Sequence, residues 1–297
     1  MQHDTAAPRI LYKEQLSDQV FLMRLAAPLI AAERKPGQFI ILSVDGNFGE
    51  RIPLTIADAD TTEGSITIIF QRVGHTTMDL AEMKVGDRLA ALLGPLGRPT
   101  HIEKFGTAVC VGGGIGIAPL HPIVQALKAA GNRVITILGA RSKDLIILED
   151  KMRAVSDELI VVTDDGSYGR KALVTQPLKE ACERVPKPDI AVAIGPPIMM
   201  KFCAETTRPF AVHTLVSLNT IMVDGTGMCG GCRVSVGGET KFVCVDGPEF
   251  DGHKVDFDLM MKRLGAYKKH EKQMADQHVA GHTCNLEVAA AGKGVRS

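Results

Sequence analysis

The chain has 297 residues, with 34 Lys plus Arg balanced by 34 Asp plus Glu, so it lacks the basic footprint of a nucleic-acid binder. Apolar residues make up 45% of it, enough for a sizeable core and too much for a disordered chain. Aromatics are 4% with no Trp, which argues against base- or sugar-stacking surfaces; no apolar run is long enough for a bilayer and no basic-then-apolar leader follows Met1, so a reducing cytoplasm is the expected setting.

Residues 10–100 read as β. Short apolar runs at 39–44, 65–72 and 88–93, separated by Gly, Pro and Asp, predict an antiparallel barrel or sandwich. Within that stretch, Arg51-Ile52-Pro53-Leu54-Thr55 fits any strand. Gly74-His75-Thr76-Thr77 and Gly94-Pro95-Leu96-Gly97 follow it. An Arg for a pyrophosphate and hydroxyls for a flavin ring edge is the functional reading; ordinary strand and turn chemistry is the alternative.

From about residue 105 the rhythm changes. A strand at 107–111 runs into Gly112-Gly113-Gly114-Ile115-Gly116-Ile117-Ala118-Pro119, then a helix at 120–130 and a strand at 133–138. Further strands at 158–163 and 190–195, with helical stretches between, predict a doubly wound parallel sheet. Small residues between strand and helix let a pyrophosphate approach the helix N-terminus. Gly114-x-Gly116 followed by Pro119 is a variant of the dinucleotide fingerprint, with Pro in the first helical turn, where its missing N–H costs little. A tight turn without ligand is the alternative. Thr163-Asp164-Asp165-Gly166-Ser167 and Gly195-Pro196-Pro197 each follow a strand, where open α/β sheets bind ligands. Arg141, Lys143 and Glu149 mix charge where the adenosine ribose is selected, so NAD and NADP both remain open.

After about residue 213 comes a Gly- and Cys-rich segment at 219–250, then a charged helical stretch at 257–277 and an end without clear period. Of seven Cys, three crowd together as Cys229, Cys232 and Cys244. The plant-type [2Fe–2S] spacing C-x4-C-x2-C…C places its last three ligands on these and its first on Asp224. Carboxylate can bind iron; the alternative is a turn-forming Asp-Gly with another fourth ligand. For the three thiols, the alternative is zinc or no metal. Glycines at 225, 227, 230 and 231 free backbone N–H groups for a compact anion. A flavin becomes reasonable because a one-electron cluster and a two-electron nicotinamide need a converter. Cys110, Cys182 and Cys203 read as packing. His278, His282 and Cys284 have metal-compatible spacing in the tail. No H-E-x-x-H, G-x-S-x-G or Walker motif is present.

This order of parts resembles the ferredoxin reductase-like flavoproteins over about residues 8–270, and within them the iron–sulfur subunits. One branch is the electron-transfer subunit of dihydroorotate dehydrogenase. The other is the small subunit of NADH-dependent reduced ferredoxin:NADP oxidoreductase, also described as sulfide dehydrogenase. Asp224 in Asp-Gly-Thr-Gly-Met-Cys, where the first branch usually has Cys, and the stretch 246–253 are similar to the second.

The resemblance implies an FAD-binding β-barrel over 1–102 and an NAD(P)-binding α/β domain over 103–213. A [2Fe–2S] segment follows over 214–256, then a helical or disordered tail over 257–297. FAD falls to Arg51, Pro53, Leu54, Thr55, Gly74, Thr76 and Thr77, and NAD(H) to Gly113, Gly114, Gly116, Pro119, Asp165 and Gly195. The cluster falls to Asp224, Cys229, Cys232 and Cys244. The flavin motif R-x-Y-[ST] places Arg at position 52, where Ile52 stands; Arg51 is one place early and Leu54 replaces the Tyr. The implied activity is electron transfer between NAD(H), FAD and the cluster, within a bifurcating complex. Its larger partner would carry a second FAD and [4Fe–4S] clusters and handle NADP(H) and ferredoxin. Three alternatives stand: service to a dihydroorotate dehydrogenase, a sulfide- or polysulfide-linked reductase, and a zinc-stabilised nucleotide-binding adaptor.

Overall fold

The computed structural model describes residues 7–46 and 49–266. The apolar runs of the first hundred residues fold as β1 (Ile10–Ser17), β2 (Val20–Ala26), β3 (Phe39–Ser43), β4 (Ile52–Asp60), β5 (Ser65–Gln71) and β6 (Ala91–Leu96), with α1 (Pro28–Glu33) and α2 (His75–Glu82) between them. All pairings are antiparallel, in the order β1-β2-β5-β4-β3-β6. One face buries Ile10, Met23, Leu25, Ile40, Leu42, Ile56, Ile68 and Phe70. The last strand starts at Ala91, three residues later than the run at 88–93 suggested. The preceding backbone is already used: Ile10 donates to Asp87 and Leu89 to Pro8, which closes the barrel onto β1.

The second rhythm yields β7 (Thr107–Gly113), α3 (Ile117–Ala129), β8 (Arg133–Ala140), α4 (Glu149–Ala154), β9 (Glu158–Thr163), β10 (Arg170–Lys171), α5 (Thr175–Cys182), β11 (Ile190–Ile194), α6 (Pro197–Thr207) and β12 (His213–Ser217). The Gly- and Cys-rich segment then adds β13 (Arg233–Val236), β14 (Glu239–Phe242), α7 (Val243–Asp246), β15 (Glu249–Asp251) and α8 (Phe257–Gly265). The large sheet runs β10-β9-β8-β7-β11-β12-β15, with β15 antiparallel at its edge. The chain leaves β7 in one direction through β8, β9 and β10, then returns on the other side through β11 and β12. The switch point, where such sheets bind ligands, therefore lies between β7 and β11.

Both faces of this sheet are covered, so its strands are continuously apolar rather than alternating. One face packs α3 and the barrel residues Val20, Leu22, Ala57 and Ile69; the other packs α5, α6 and the cluster segment through Cys232, Val234, Val243 and Cys244. Cys110, Cys182 and Cys203 lie in these cores, as packing residues should. Residues 267–277 of the helix expected over 257–277 lie outside the described residues, and the part within them is α8. It is docked rather than loose: Phe257 and Met260 are buried in the shared core, and Asp256 caps the helix by accepting the Leu259 N–H at 2.9 Å. His278, His282 and Cys284 lie outside the described residues. Among the described residues, no helix is long and apolar enough to cross a membrane.

Candidate cofactor-binding site

The glycine-rich turn sits at the switch point. Gly112 and Gly113 finish β7, and Gly114–Gly116 form a short 3-10 turn that leads directly into α3. Gly114 has φ +54° and faces open space, so nothing of the protein blocks a ligand from its backbone. Gly116 has the opposite surroundings. A Cβ there would stand 2.4 Å from the Ile194 carbonyl oxygen, so only glycine lets α3 start this close to β11. Gly195 belongs to the same crevice, since its Cβ would come 3.2 Å from Gly113 Cα. Pro119 occupies the third position of α3, where its missing N–H breaks no helical bond. An open Gly114 beside a helix N-terminus fits a dinucleotide pyrophosphate.

Asp165 lies at the same sheet edge beyond β9, about 10 Å and two strands away from β7. Its Oδ1 accepts the Ser167 N–H at 2.9 Å and hydroxyl at 2.7 Å. Those bonds hold its carboxyl below the usual range. Ser167 in turn accepts the Lys143 N–H at 2.9 Å, which ties the loop after β9 to the turn after β8.

In the barrel, β4 sets Pro53, Leu54 and Thr55 opposite Ile41, Ile40 and Phe39 of β3, all three half-buried, with Arg51 exposed just before the strand. Gly74 is the N-cap of α2. Thr77 serves that cap locally: its hydroxyl accepts the N–H groups of Val73 at 3.1 Å and Gly74 at 2.9 Å. The buried Thr76 donates its hydroxyl to the Glu50 carboxylate. That bond draws the α2 N-terminus to the residue before Arg51, so two segments remote in sequence converge. A helix N-terminus close to the segment that carries the exposed Arg51 fits the diphosphate of a flavin dinucleotide, with Glu50 as the local opposing charge.

The cluster loop turns through left-handed Gly225 and Gly227, at φ +72° and +86°. A Cβ on Gly225 would meet Leu96 at 2.7 Å and Ile41 at 2.8 Å, so the loop lies flush on the barrel. Asp224 Oδ1 accepts the Thr226 N–H at 2.9 Å and Oδ2 the Cys229 N–H at 2.6 Å. The Thr226 bond is the main reason its carboxyl stays below the usual range. Cys232 and Cys244, both 1% exposed, stand with their sulfurs 3.2 Å apart, while Cys229 is on the exposed rim. Two pairs result, Asp224 with Cys229 and Cys232 with Cys244. Among the described residues, no larger set of His, Cys, Asp or Glu is drawn together as for a metal. Backbone N–H groups also face sulfur: Gly231 donates to Cys229 Sγ at 3.4 Å, and Gly227 faces Cys244. Two pairs of donors with N–H···S bonds fit a two-iron cluster better than a single tetrahedral ion.

Three groups here escaped sequence reasoning. His121, two residues beyond Pro119, is 4% exposed on α3 against the barrel. Glu249, within the stretch 246–253, is bonded to Thr100. The Thr220 hydroxyl, at the entrance to the cluster loop, is buried without a partner among the described residues. Only tertiary contacts make these three unusual; as residue types they carry no signal.

Comparison with known proteins agrees with this layout. The family described as "Oxidoreductase NAD-binding domain" matches residues 110–205, and that described as "Iron-sulfur cluster binding domain of dihydroorotate dehydrogenase B" matches 219–256. The dihydroorotate dehydrogenase B (NAD(+)), electron transfer subunit homolog of Thermotoga maritima is 49% identical over 268 residues, 90% of this chain and 94% of that protein. The probable dihydroorotate dehydrogenase B electron transfer subunit of Methanopyrus kandleri is 37% identical over 216 residues, 73% of this chain and 79% of that protein. A chain from the solved NADH-dependent reduced ferredoxin-NADP oxidoreductase superposes with TM-score 0.86 at 47% identity, covering 94% of this chain and 100% of that one. A ferredoxin NADP+ reductase from Neisseria gonorrhoeae, with TM-score 0.58 at 18% identity over 69% of this chain and 91% of that one, shares the fold alone.

Proposed function

Because this chain belongs to the family of the dihydroorotate dehydrogenase B electron transfer subunits and their homologues, we propose that it is the small subunit of a ferredoxin:NADP oxidoreductase-type complex, moving electrons between NAD(H) and a larger partner. It has an oxidoreductase NAD-binding domain, an iron–sulfur binding domain and the FAD-binding ferredoxin reductase-like fold. The observation that supports the finer assignment is the superposition on the reduced ferredoxin-NADP oxidoreductase chain over 94% of this chain and 100% of that one. Asp224 at the first ligand position supports it further.

The residues divide the work by location. Gly114 and the α3 N-terminus receive the nicotinamide dinucleotide pyrophosphate, with Gly113, Gly116 and Gly195 shaping the crevice, Pro119 preorganising the first turn and Asp165 at its far rim. The α2 N-terminus with Arg51 takes the flavin diphosphate, while Pro53, Leu54 and Thr55 line the ring. When bound, the flavin supplies the conversion between hydride and single electrons. Asp224, Cys229, Cys232 and Cys244 hold the [2Fe–2S] cluster. No general base is required of the protein, whose task is to orient the groups and exclude water. The partner carries the second flavin and [4Fe–4S] clusters and handles NADP(H) and ferredoxin.

The test is a visible spectrum of anaerobically purified protein with iron, sulfide and flavin quantified together. The expected result is about two irons, two sulfides and one FAD per chain, bleached by NADH. A colourless or zinc-only protein overturns the proposal in favour of the nucleotide-binding adaptor. A second reading, service to a dihydroorotate dehydrogenase, draws on the names of several relatives. Orotate-dependent NADH oxidation after mixing with that enzyme, without ferredoxin-dependent NADP reduction, would select it.

A further inference from the structure

Between Cys229 and Cys232, two hydrogen bonds meet on one peptide unit. The Gly231 N–H points at Cys229 Sγ, 3.4 Å away. The carbonyl of that same peptide belongs to Gly230, and it accepts a bond from Arg233 Nη1 at 3.1 Å. The Arg233 backbone N–H reaches the same oxygen at 3.4 Å. A trans peptide sets its C=O and N–H antiparallel, so a cation and a sulfur stand at opposite ends of one dipole. Gly230 makes this turn with a left-handed φ of +63°, and Arg233 is fixed opposite Phe242 in the β13–β14 ladder.

The next peptide is held from another element. Arg263, in the last turn of α8, donates to the Gly231 carbonyl at 3.4 Å, and the N–H of that peptide is the one of Cys232. Burial of Phe257 and Met260 docks α8 and so delivers this guanidinium. A third guanidinium, Arg98, donates to the Val245 carbonyl at 3.1 Å, but its charge is met by Asp246 at 3.4 Å. Neither Arg233 nor Arg263 has a carboxylate partner among the described residues.

Hydrogen bonds in a chain polarise one another, and bonds to the sulfurs help to set the reduction potential of an iron–sulfur cluster. A guanidinium on the Gly230 oxygen makes the Gly231 N–H a stronger donor to sulfur. Reduction adds negative charge to the cluster, so the stronger donor and the nearby cation both favour the reduced state.

We propose that Arg233, assisted by Arg263, raises the reduction potential of the cluster by polarising the peptides between Cys229 and Cys232. Both act through the backbone and not as ligands. This rests on the reading of this loop as the cluster site, with Cys229 as a ligand.

The test is a potentiometric titration of the anaerobically purified full chain with its FAD and cluster, the reduced cluster being counted by electron paramagnetic resonance. Arg233→Met removes charge and donor, and Arg233→Lys keeps the charge. Arg98→Met removes a cation that is already paired. At the wild-type midpoint the oxidised-to-reduced ratio should rise about threefold or more in Arg233→Met. Arg263→Met, which loses a longer bond, should move it the same way by less. Arg233→Lys should restore most of the wild-type ratio, and Arg98→Met should stay close to it. Iron and sulfide are quantified on each variant; Arg233→Gln gives the same readout if the Met variant does not hold the cluster. A wild-type potential in the uncharged Arg233 variant overturns the inference, as does an equal shift in Arg98→Met, or an Arg233→Lys no better than Arg233→Met. If wild type holds no iron and sulfide, the cluster reading fails first; if it holds both and all variants titrate together, only the role of the arginines fails.

Discussion

The Thr100 hydroxyl donates to Glu249 Oε1 at 2.6 Å, joining the segment after β6 to the sheet-edge strand β15. Burial pushes this carboxyl up to about 7 even though the Thr100 bond works in the opposite direction. The folded chain therefore holds a proton here that the unfolded chain, with an ordinary Glu near 4.5, gives up. Stability from this group is full at low pH and is lost as pH rises from about 4.5 through about 7, by an amount of order 3 kcal/mol. Urea melts between pH 5 and pH 8 should show Glu249→Gln gaining on wild type as pH rises. A constant difference across that range would mean that the carboxyl titrates normally.

Gly114 and Gly116 stand two residues apart and should fail in different ways. Alanine at Gly114 meets open space but must adopt φ +54°, a strain of about 1–2 kcal/mol. That variant should fold and lose NAD+ affinity by about tenfold or more, because its methyl fills the ligand's approach. Alanine at Gly116 would collide with the Ile194 carbonyl at 2.4 Å, costing about 3 kcal/mol through displaced backbone. Calorimetric titration of NAD+ and a melt on each variant separate a binding effect from a folding one.

Asp224→Cys should preserve about two irons per chain and change the reduction potential and the spectrum of the reduced cluster, since thiolate donates more strongly than carboxylate. An unchanged spectrum and potential would leave Asp224 with only its loop-holding bonds to Thr226 and Cys229.

Thiol labelling should divide the six described cysteines. Burial pushes Cys110 and Cys203 up to about 12 and Cys182 to about 11. They should resist alkylation until the chain unfolds, because the protonated thiol is a poor nucleophile. Cys229 is exposed and should label first in metal-free protein, and be protected once iron and sulfide are restored. Mass spectrometry of the digested protein reads each site. Early labelling of Cys203 would contradict its burial.

Much of the architecture was legible because it is local. Short apolar runs became β3 and β5, a strand followed by Gly112–Gly116 became the turn into α3, and close cysteine spacing marked the cluster loop. Each of these signals spans about a dozen residues, the range over which backbone sterics and side-chain periodicity act. The misread strand at 88–93 shows the limit: its start depends on residues 86–89 having already paired with residues 8–10, where the chain enters β1. Thr77 shows another, since its residue type does not reveal that its hydroxyl holds the α2 cap.

The inventory of chemistry was therefore written in the chain itself: thiols and a carboxylate at cluster spacing, glycines where a phosphate needs room, an Arg and hydroxyls in a barrel. What folding alone decided was which of these meet. Gly113 and Gly195 share a crevice because the crossovers place β11 beside β7. Cys232 and Cys244 pair because the β13–β14 hairpin folds back, and Ala57 shares a core with Ile117 and Ala118 because α3 is pressed onto the barrel. These contacts depend on which apolar faces bury one another across long stretches of chain, and a short window of sequence does not contain that information.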